Sequence, residues 1–149
     1  MKTITKEQED FLNKCTWGTW RLNTESGLVD IDGDFNCSNK GLSDFLGIEF
    51  GKVTNNFYCY DNKLVSLKGA PREVGKDFDC YGNQLISLEG APKEIGRVFC
   101  CDPLPIKFFD LDLFTKTLFY LDKEFIDPKL RVMDISGGLA PEIYLKKMV

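Results

Sequence analysis

Residues 55–75 read NNFYCYDNKLVSLKGAPREVG, and residues 76–96 read KDFDCYGNQLISLEGAPKEIG. Aligned without gaps, 12 of the 21 positions are identical, and three more exchange only Val for Ile or Arg for Lys. A repeat of about 20–30 residues with fixed apolar positions is typical of a solenoid, in which each coil packs only against its neighbours. The duplication therefore predicts a solenoid, a fold that usually holds a partner on an extended surface.

The repeat continues on both sides of this pair in a weaker form. Upstream, residues 33–54 keep the Phe, the Cys and the first Leu, and they carry one extra residue. Downstream, residues 97–109 keep the Phe and the Cys before the pattern departs. Imperfect outer copies are expected of terminal repeats, because their outer faces meet a cap or water. The chain thus contains about four coils.

The composition favours one folded domain. The chain has 149 residues, of which 43% are hydrophobic and 13% aromatic, and its 12 Phe argue against disorder. No apolar run approaches the length of a membrane-spanning helix, and the first residues, MKTITKEQEDF, lack the apolar core of a signal peptide. We therefore expect a cytoplasmic protein with no membrane partner. The net charge of −4 argues against direct nucleic-acid binding, which needs clustered Lys and Arg.

Four of the six cysteines fall once in each coil, at Cys37, Cys59, Cys80 and Cys101. Zinc sites usually take their ligands in close pairs and close them tetrahedrally. Neighbouring strands lie about 4.8 Å apart, so a column of four spans about 14 Å and cannot surround one ion. The column is predicted to be a stack of small buried hydrophobic side chains. Disulfides between neighbouring coils are the less favoured alternative in a reducing compartment.

The third coil gives the structural role of each repeat position. Phe78 and Cys80 alternate with polar positions, which indicates a short strand with one buried face. At the turn that follows, Asn83 is expected to bond backbone groups left open by the bend. Leu85 and Leu88 are expected to point inward, and the Gly-Ala-Pro at 90–92 favours an extended return.

This pattern resembles the short leucine-rich repeats of bacterial and phage-encoded proteins, whose units read F-x-C-x-x-N-x-L-x-S-L-x-G-A-P. The resemblance covers residues 31–109 and is weaker at its ends, where Lys40 and Leu104 replace the Asn. It implies an α/β solenoid with short parallel strands on the concave face and extended segments on the convex side. Residues 33–109 would form the repeats of a single domain covering 1–149.

The two ends of the chain are expected to cap the repeats. Within residues 1–32, Thr5 and Gln8 fit a helix capping box, and the segment from Trp17 to Ile31 reads as a β-hairpin around a polar turn. Past the repeats, apolar residues recur at three- and four-residue steps, which predicts a C-terminal helical cap over 110–149. The alternative is that this Phe-rich helix leaves a face for a partner or for a homodimer.

Catalytic and metal-binding motifs are missing from the sequence. It contains no His, which excludes Ser-His-Asp catalysis and His-bound metals. Asp30, Asp32 and Asp34 alternate as in a calcium loop, but Phe35 and Gly41 stand where that loop needs Gly and Glu. Cys100 is expected on the outward side of its strand, where its thiol would be reactive only with a neighbour that lowers its pKa. We expect no enzymatic activity and no cofactor.

The outward positions of the strands are the candidate binding face. Three tyrosines lie there among carboxylates and amides, and Tyr is frequent at binding hot spots because it combines a large apolar area with a polar tip. An ordinary polar sheet surface is the alternative interpretation. The candidate partner-binding residues on the concave face are Asp34, Asn56, Tyr58, Tyr60, Asp77, Asp79, Tyr81 and Asp102.

These features favour a non-enzymatic protein–protein interaction module. The family resemblance suggests a phage or bacterial accessory protein that binds and modulates a host protein, in the host cytoplasm if it is phage-encoded. One alternative is a structural or self-assembling subunit joined through its Trp- and Phe-rich ends. A lesser alternative is an acidic mimic of nucleic acid that captures a nucleic-acid-binding protein. The sequence does not identify the partner.

Overall fold

A computed structural model of the protein describes residues 1–86 and 88–101, which form a parallel β-solenoid of about three turns with one helix at its N-terminus. The predicted solenoid is therefore confirmed. The elements in chain order are α1 (Lys6–Cys15), β1 (Thr16–Leu22), β2 (Val29–Asn36), β3 (Phe50–Val53), β4 (Phe57–Tyr58), β5 (Glu73–Val74), β6 (Phe78–Asp79), β7 (Glu94–Ile95) and β8 (Phe99–Cys100).

Each coil contributes to two parallel ladders that meet at β2. The first part of β2 pairs with β3, which continues through β5 to β7, and the end of β2 pairs with β4, which continues through β6 to β8. The second of these ladders is the strand column predicted from Phe78 and Cys80. The first ladder was predicted only as extended return, and its pairing is a finding of the structure.

A spine of phenylalanines runs through the core from coil to coil. Phe35, Phe57, Phe78 and Phe99 are fully buried. Their ring centroids are 5.2, 5.6 and 5.6 Å apart, and successive rings are tilted by only 9–15°. Each ring therefore packs on the next coil as well as on its own, which confirms the predicted inward column. The buried repeat side chains also include Cys37, Cys59, Cys80 and Cys101, with Leu64, Leu67, Leu85 and Leu88.

Asn62 joins two coils at the turn that follows the strand. Its Nδ2 donates to the carbonyl oxygens of Cys37 at 3.0 Å and Cys59 at 3.1 Å. Its Oδ1 accepts from the backbone N–H groups of Lys40 at 3.0 Å and Leu42 at 3.1 Å. The buried amide thus pairs backbone groups of its own coil and of the coil before it.

Asn83 repeats this arrangement one coil later. Its Nδ2 donates to the carbonyl oxygens of Cys59 and Cys80, both at 2.9 Å, and its Oδ1 accepts from the Leu64 N–H at 3.0 Å. The predicted role of the repeat Asn is confirmed at both positions. The row begins at Asn62 because Lys40 occupies the same position in the first coil, where its backbone N–H donates to Asn62 Oδ1 of the next coil.

Replacing Asn62 by Ala is expected to lower the free energy of unfolding by about 2–3 kcal/mol, because buried backbone donors and acceptors lose their partner. Urea denaturation followed by circular dichroism measures this change. The matched control is Gln84→Ala, which removes the same type of amide from an exposed side chain and should change stability by less than about 0.5 kcal/mol. Equal effects of the two substitutions would contradict a bridging role for Asn62.

A left-handed residue turns the chain after each strand. Asn39, Asp61 and Gly82 occupy the same position in successive coils, with φ of 57°, 53° and 71°. Asn, Asp and Gly are the residues that tolerate this conformation best. The two central coils differ here, with Asp61 in one and Gly82 in the other. Both residues, like Asn39, meet the same requirement for a positive φ at this position.

The N-terminal helix and hairpin form as predicted. The capping box of α1 is complete, with Gln8 N–H donating to Thr5 Oγ1 at 3.2 Å and Thr5 N–H donating to Gln8 Oε1 at 3.0 Å. Phe11 packs edge-on against Phe35, with 5.7 Å between ring centroids, and closes the first end of the core. β1 and β2 form the antiparallel hairpin.

Several predictions fall outside the described residues. These are the C-terminal helical cap over 110–149, a homodimer through that helix, the turn at Leu104 and the candidate site residue Asp102. Within residues 1–86 and 88–101, no helix has the length and apolar character that crossing a membrane requires.

Candidate functional site

The second ladder brings seven of the eight candidate residues onto one surface, which we call the tyrosine face. The register pairs Asn36 with Tyr58 and Tyr58 with Asp79, so these side chains form one column across three coils. Tyr60 and Tyr81 follow two residues further along their coils. The tyrosine face consists of Asp34, Asn56, Tyr58, Tyr60, Asp77, Asp79 and Tyr81.

One row of this face is bound into the scaffold. Asp34 Oδ1 accepts from both the backbone N–H and the Nδ2 of Asn56, each at 2.9 Å. Asn56 Oδ1 in turn accepts from the backbone N–H of Asp77 at 3.0 Å. Asp77 then holds Arg97, whose Nε and terminal nitrogen lie 2.7 and 2.6 Å from its two carboxylate oxygens. These side chains join adjacent coils, so their polar groups are largely occupied before any partner arrives.

Arg97 is part of this surface, although the sequence did not identify it. Arg97 lies in the bend between β7 and β8. The equivalent residues of the two central coils are Asn55 and Lys76. Only the close approach of neighbouring coils brings its guanidinium onto Asp77. The repeat does not mark this pair, because the equivalent residues one coil earlier are Lys76 and Asn56, which carry no opposite charges.

Tyr58 lies at the centre of the face in a negative surrounding. Its pKa is raised, first by burial and then by the carboxylates of Asp77 and Asp34, while the charge of Arg97 acts in the opposite sense. Its ring centroid lies 6.2 Å from that of Tyr60, at an angle of 60°. The two rings and their carboxylates therefore form one connected aromatic and acidic surface.

Asp79 and Tyr81 present the more open part of the face. Asp79 Oδ1 accepts from the Tyr81 backbone N–H at 3.0 Å, which fixes the direction of the carboxylate. Asn36 makes the same bond to the Ser38 N–H in the first coil, also at 3.0 Å. The Tyr81 side chain is 46% exposed and is the most accessible tyrosine of the three.

The alternating aspartates of β2 are also used internally. Asp30 Oδ1 accepts from the Lys52 N–H at 2.9 Å, and Asp32 Oδ1 accepts from Thr54 Oγ1 at 3.0 Å. Together with Asp34, they join the hairpin to the next coil. In the described part of the chain, no group of three acidic, Cys or His side chains is arranged to hold a metal ion.

Cys100 lies on the predicted side of its strand, since the register places it in the column of Tyr58 and Asp79. The prediction of an accessible thiol is wrong, because Cys100 is only 3% exposed and both residues of β8 are buried. The other five cysteines are buried as well, and none of the six forms a disulfide.

A shallow groove of about 440 Å³ lies outside the tyrosine face, beside the hairpin and β3. Arg21 and Asp30 form an ion pair at 3.5 Å on its floor, and Lys52 reaches Glu73 at 3.6 Å at its edge. The charges of each pair offset one another, and such surface ion pairs contribute little to stability. Its lining residues are Thr19, Trp20, Arg21, Asp30, Ile31, Asp32, Lys52 and Thr54.

Comparisons of this chain with models of protein families, with curated proteins and with solved structures found no match. The tyrosine face therefore has to be interpreted from its own geometry.

Proposed function

We propose that this protein is a non-enzymatic protein–protein interaction module of the leucine-rich-repeat type, with the tyrosine face as its binding surface. The repeat type is supported by the Asn turns at Asn62 and Asn83 and by the inward Leu pairs that follow them. The resemblance of the repeat unit to bacterial and phage-encoded proteins supports an accessory protein that binds and modulates a host protein.

The observation that carries the proposal is the combination of accessible tyrosines with a fixed backbone. Tyr58, Tyr60 and Tyr81 lie on two neighbouring coils whose strands are paired and whose turns are bonded by Asn62 and Asn83. A tyrosine has few rotatable bonds, so a rigid row of them loses little conformational entropy on binding. The tyrosine hydroxyl groups and the nearby carboxylates can form hydrogen bonds with a partner, and these bonds would fix its orientation on the face.

The double substitution of Tyr58 and Tyr81 by Ala is expected to weaken capture of the partner strongly, because it removes two of the three tyrosine rings of this face. Tagged wild-type and variant proteins are used to capture proteins from a bacterial lysate, and the bound fractions are compared by mass spectrometry. The expected result is a protein that is retained by wild type and lost, by at least tenfold, from the variant.

The matched control for this experiment lies on the first ladder. Glu73 and Lys52 form an exposed ion pair there, and replacing both by Ala changes the surface of the same sheet without touching the tyrosine face. This control should retain the partner. Equal retention by wild type, control and a folded tyrosine variant would remove the tyrosine face as the binding surface.

A self-associating subunit is the second candidate function. Its support is Trp17 on β1, whose large apolar side chain is 75% exposed. Exposed Trp residues are common where protein surfaces meet. Light scattering over a range of protein concentrations tests this candidate, and a constant monomer mass would argue against it.

A further inference from the structure

The first strand of the hairpin has an edge that no described strand covers. Among the described strands, β1 pairs only with β2, and the pairing runs without a register shift along the whole of β1. Natural proteins usually protect such an edge with Lys, Pro or a bulge, and the seven residues of β1, TWGTWRL, contain neither Lys nor Pro. Trp17 on this strand is 75% exposed. The edge of β1 therefore has the properties of a strand that accepts a partner strand.

The hydrogen bonds of β2 show which backbone groups of β1 point to this edge. In β2, the odd-numbered residues from Val29 to Phe35 bond the next coil through their backbone groups. Neighbouring residues of a strand direct their backbone groups to opposite edges, so the even-numbered residues of β2 bond β1. The register pairs these with odd-numbered residues of β1, as in Asp32 with Thr19. Gly18 and Trp20 therefore direct their N–H and C=O groups to the open edge.

We propose that two copies of this chain pair along β1 in antiparallel orientation, with a twofold axis at Thr19. This inference rests on the second candidate function, self-association, and specifies its contact. The centred register sets all seven residues of β1 opposite β1 of the second copy, and it makes hydrogen-bonded pairs of Gly18 in one copy with Trp20 in the other. A twofold contact of this kind is complete with two chains, so it gives a closed dimer.

The side chains of β1 are complementary to themselves in this register. Thr19 meets Thr19 of the second copy, and Trp17 meets Arg21 on both sides of the axis, at non-hydrogen-bonded positions where Cα atoms lie about 4.5 Å apart. Arg21 is the one charged residue of β1, and its side chain is 81% exposed although it lies 3.5 Å from Asp30. Its guanidinium can stack on the Trp17 ring of the other copy, a cation–π contact that the axis repeats. This complementarity favours a second copy over an unrelated strand.

A disulfide at the axis tests the register. Thr19→Cys sets two thiols opposite each other at a Cα separation that a disulfide can span, and all six native cysteines are buried. With oxidised glutathione as the oxidant, most of the Thr19→Cys protein is expected to run as a dimer on a non-reducing gel. The matched control is Thr24→Cys, which introduces the same thiol at an exposed position of the hairpin turn and should give at least fivefold less dimer.

Lysine at the same two positions tests the association without a covalent bond. Thr19→Lys brings two ammonium groups together at the axis, and like charges directly opposite each other destabilise a strand pair. Light scattering of the full chain over a range of concentrations is expected to show a dimer for wild type. The dissociation constant should rise at least tenfold for Thr19→Lys and change less than twofold for Thr24→Lys. Both threonines are exposed, so circular dichroism should show the same folded structure for both variants.

A dimer that Thr19→Lys does not weaken, or equal cross-linking of Thr19→Cys and Thr24→Cys, would overturn the contact through β1. Self-association would then remain in place through another surface. A monomer mass at every concentration would count against both the contact and the second candidate function. None of these results bears on the tyrosine face, which the capture experiment with Tyr58 and Tyr81 tests separately.

Discussion

Replacing Phe78 by Ala is expected to lower the free energy of unfolding by about 3–5 kcal/mol, through lost burial and the cavity that remains. The Phe78 ring is fully buried and packs 5.6 Å from Phe57 on one side and 5.6 Å from Phe99 on the other. In a solenoid, stability is approximately a sum of coil terms and nearest-neighbour terms. The substitution therefore weakens two interfaces between coils together with the coil that contains Phe78.

Urea denaturation followed by two probes tests this expectation. Far-ultraviolet circular dichroism reports all coils, whereas tryptophan fluorescence reports the hairpin that contains Trp17 and Trp20. Because the weakened interfaces lie beyond the first coil, the circular dichroism midpoint should fall further than the fluorescence midpoint. Val65→Ala is the control, since Val65 is 50% exposed and should cost less than about 0.5 kcal/mol. If Phe78→Ala lowered the free energy of unfolding by less than about 1 kcal/mol, the stacked phenylalanines would not be a main source of stability.

The interior of the solenoid could be predicted from the sequence because its requirements are the same in every coil. Phe57 and Phe78 must fill one column, and Asn62 and Asn83 must bond the same turn, so the two copies are identical there. The hairpin and the capping box of Thr5 and Gln8 were also predictable, because capping and turn formation depend on local sequence.

The surface could not be predicted to the same depth because its contacts link different coils. Asp34, Asn56 and Asp77 were selected as outward polar residues, but each of them also bonds the next coil. A period-two pattern identifies the side of a strand and does not show what a side chain contacts. Cys100 shows the same limit, since its outward position in the strand does not determine whether other residues cover it.

Raising the pH from 8 to 10 is expected to lower the free energy of unfolding by about 4 kcal/mol. The physical cause is the thiol column, because burial raises the pKa of Cys37, Cys59 and Cys80 well above the ordinary value of 9.0. Thiols in the unfolded chain lose their protons above pH 9, while the buried thiols keep theirs. The stabilisation is complete below pH 9 and falls by about 1.4 kcal/mol per thiol for each further pH unit.

Each buried thiol whose pKa is raised adds to the fall of stability as the pH rises. Urea denaturation at intervals between pH 8 and 10, with a non-thiol reductant present, should give a curve that is flat below pH 9 and then descends. Cys59→Ala should lower stability at pH 8 because a buried sulfur is lost, but its descent above pH 9 should be shallower than that of wild type by about 1.4 kcal/mol per pH unit, the contribution of one thiol. Parallel curves for wild type and variant would show that Cys59 is not protonated in the folded chain. A shallower curve would instead establish that the cysteine column, which the repeat places once in each coil, sets an alkaline limit on the stability of the fold.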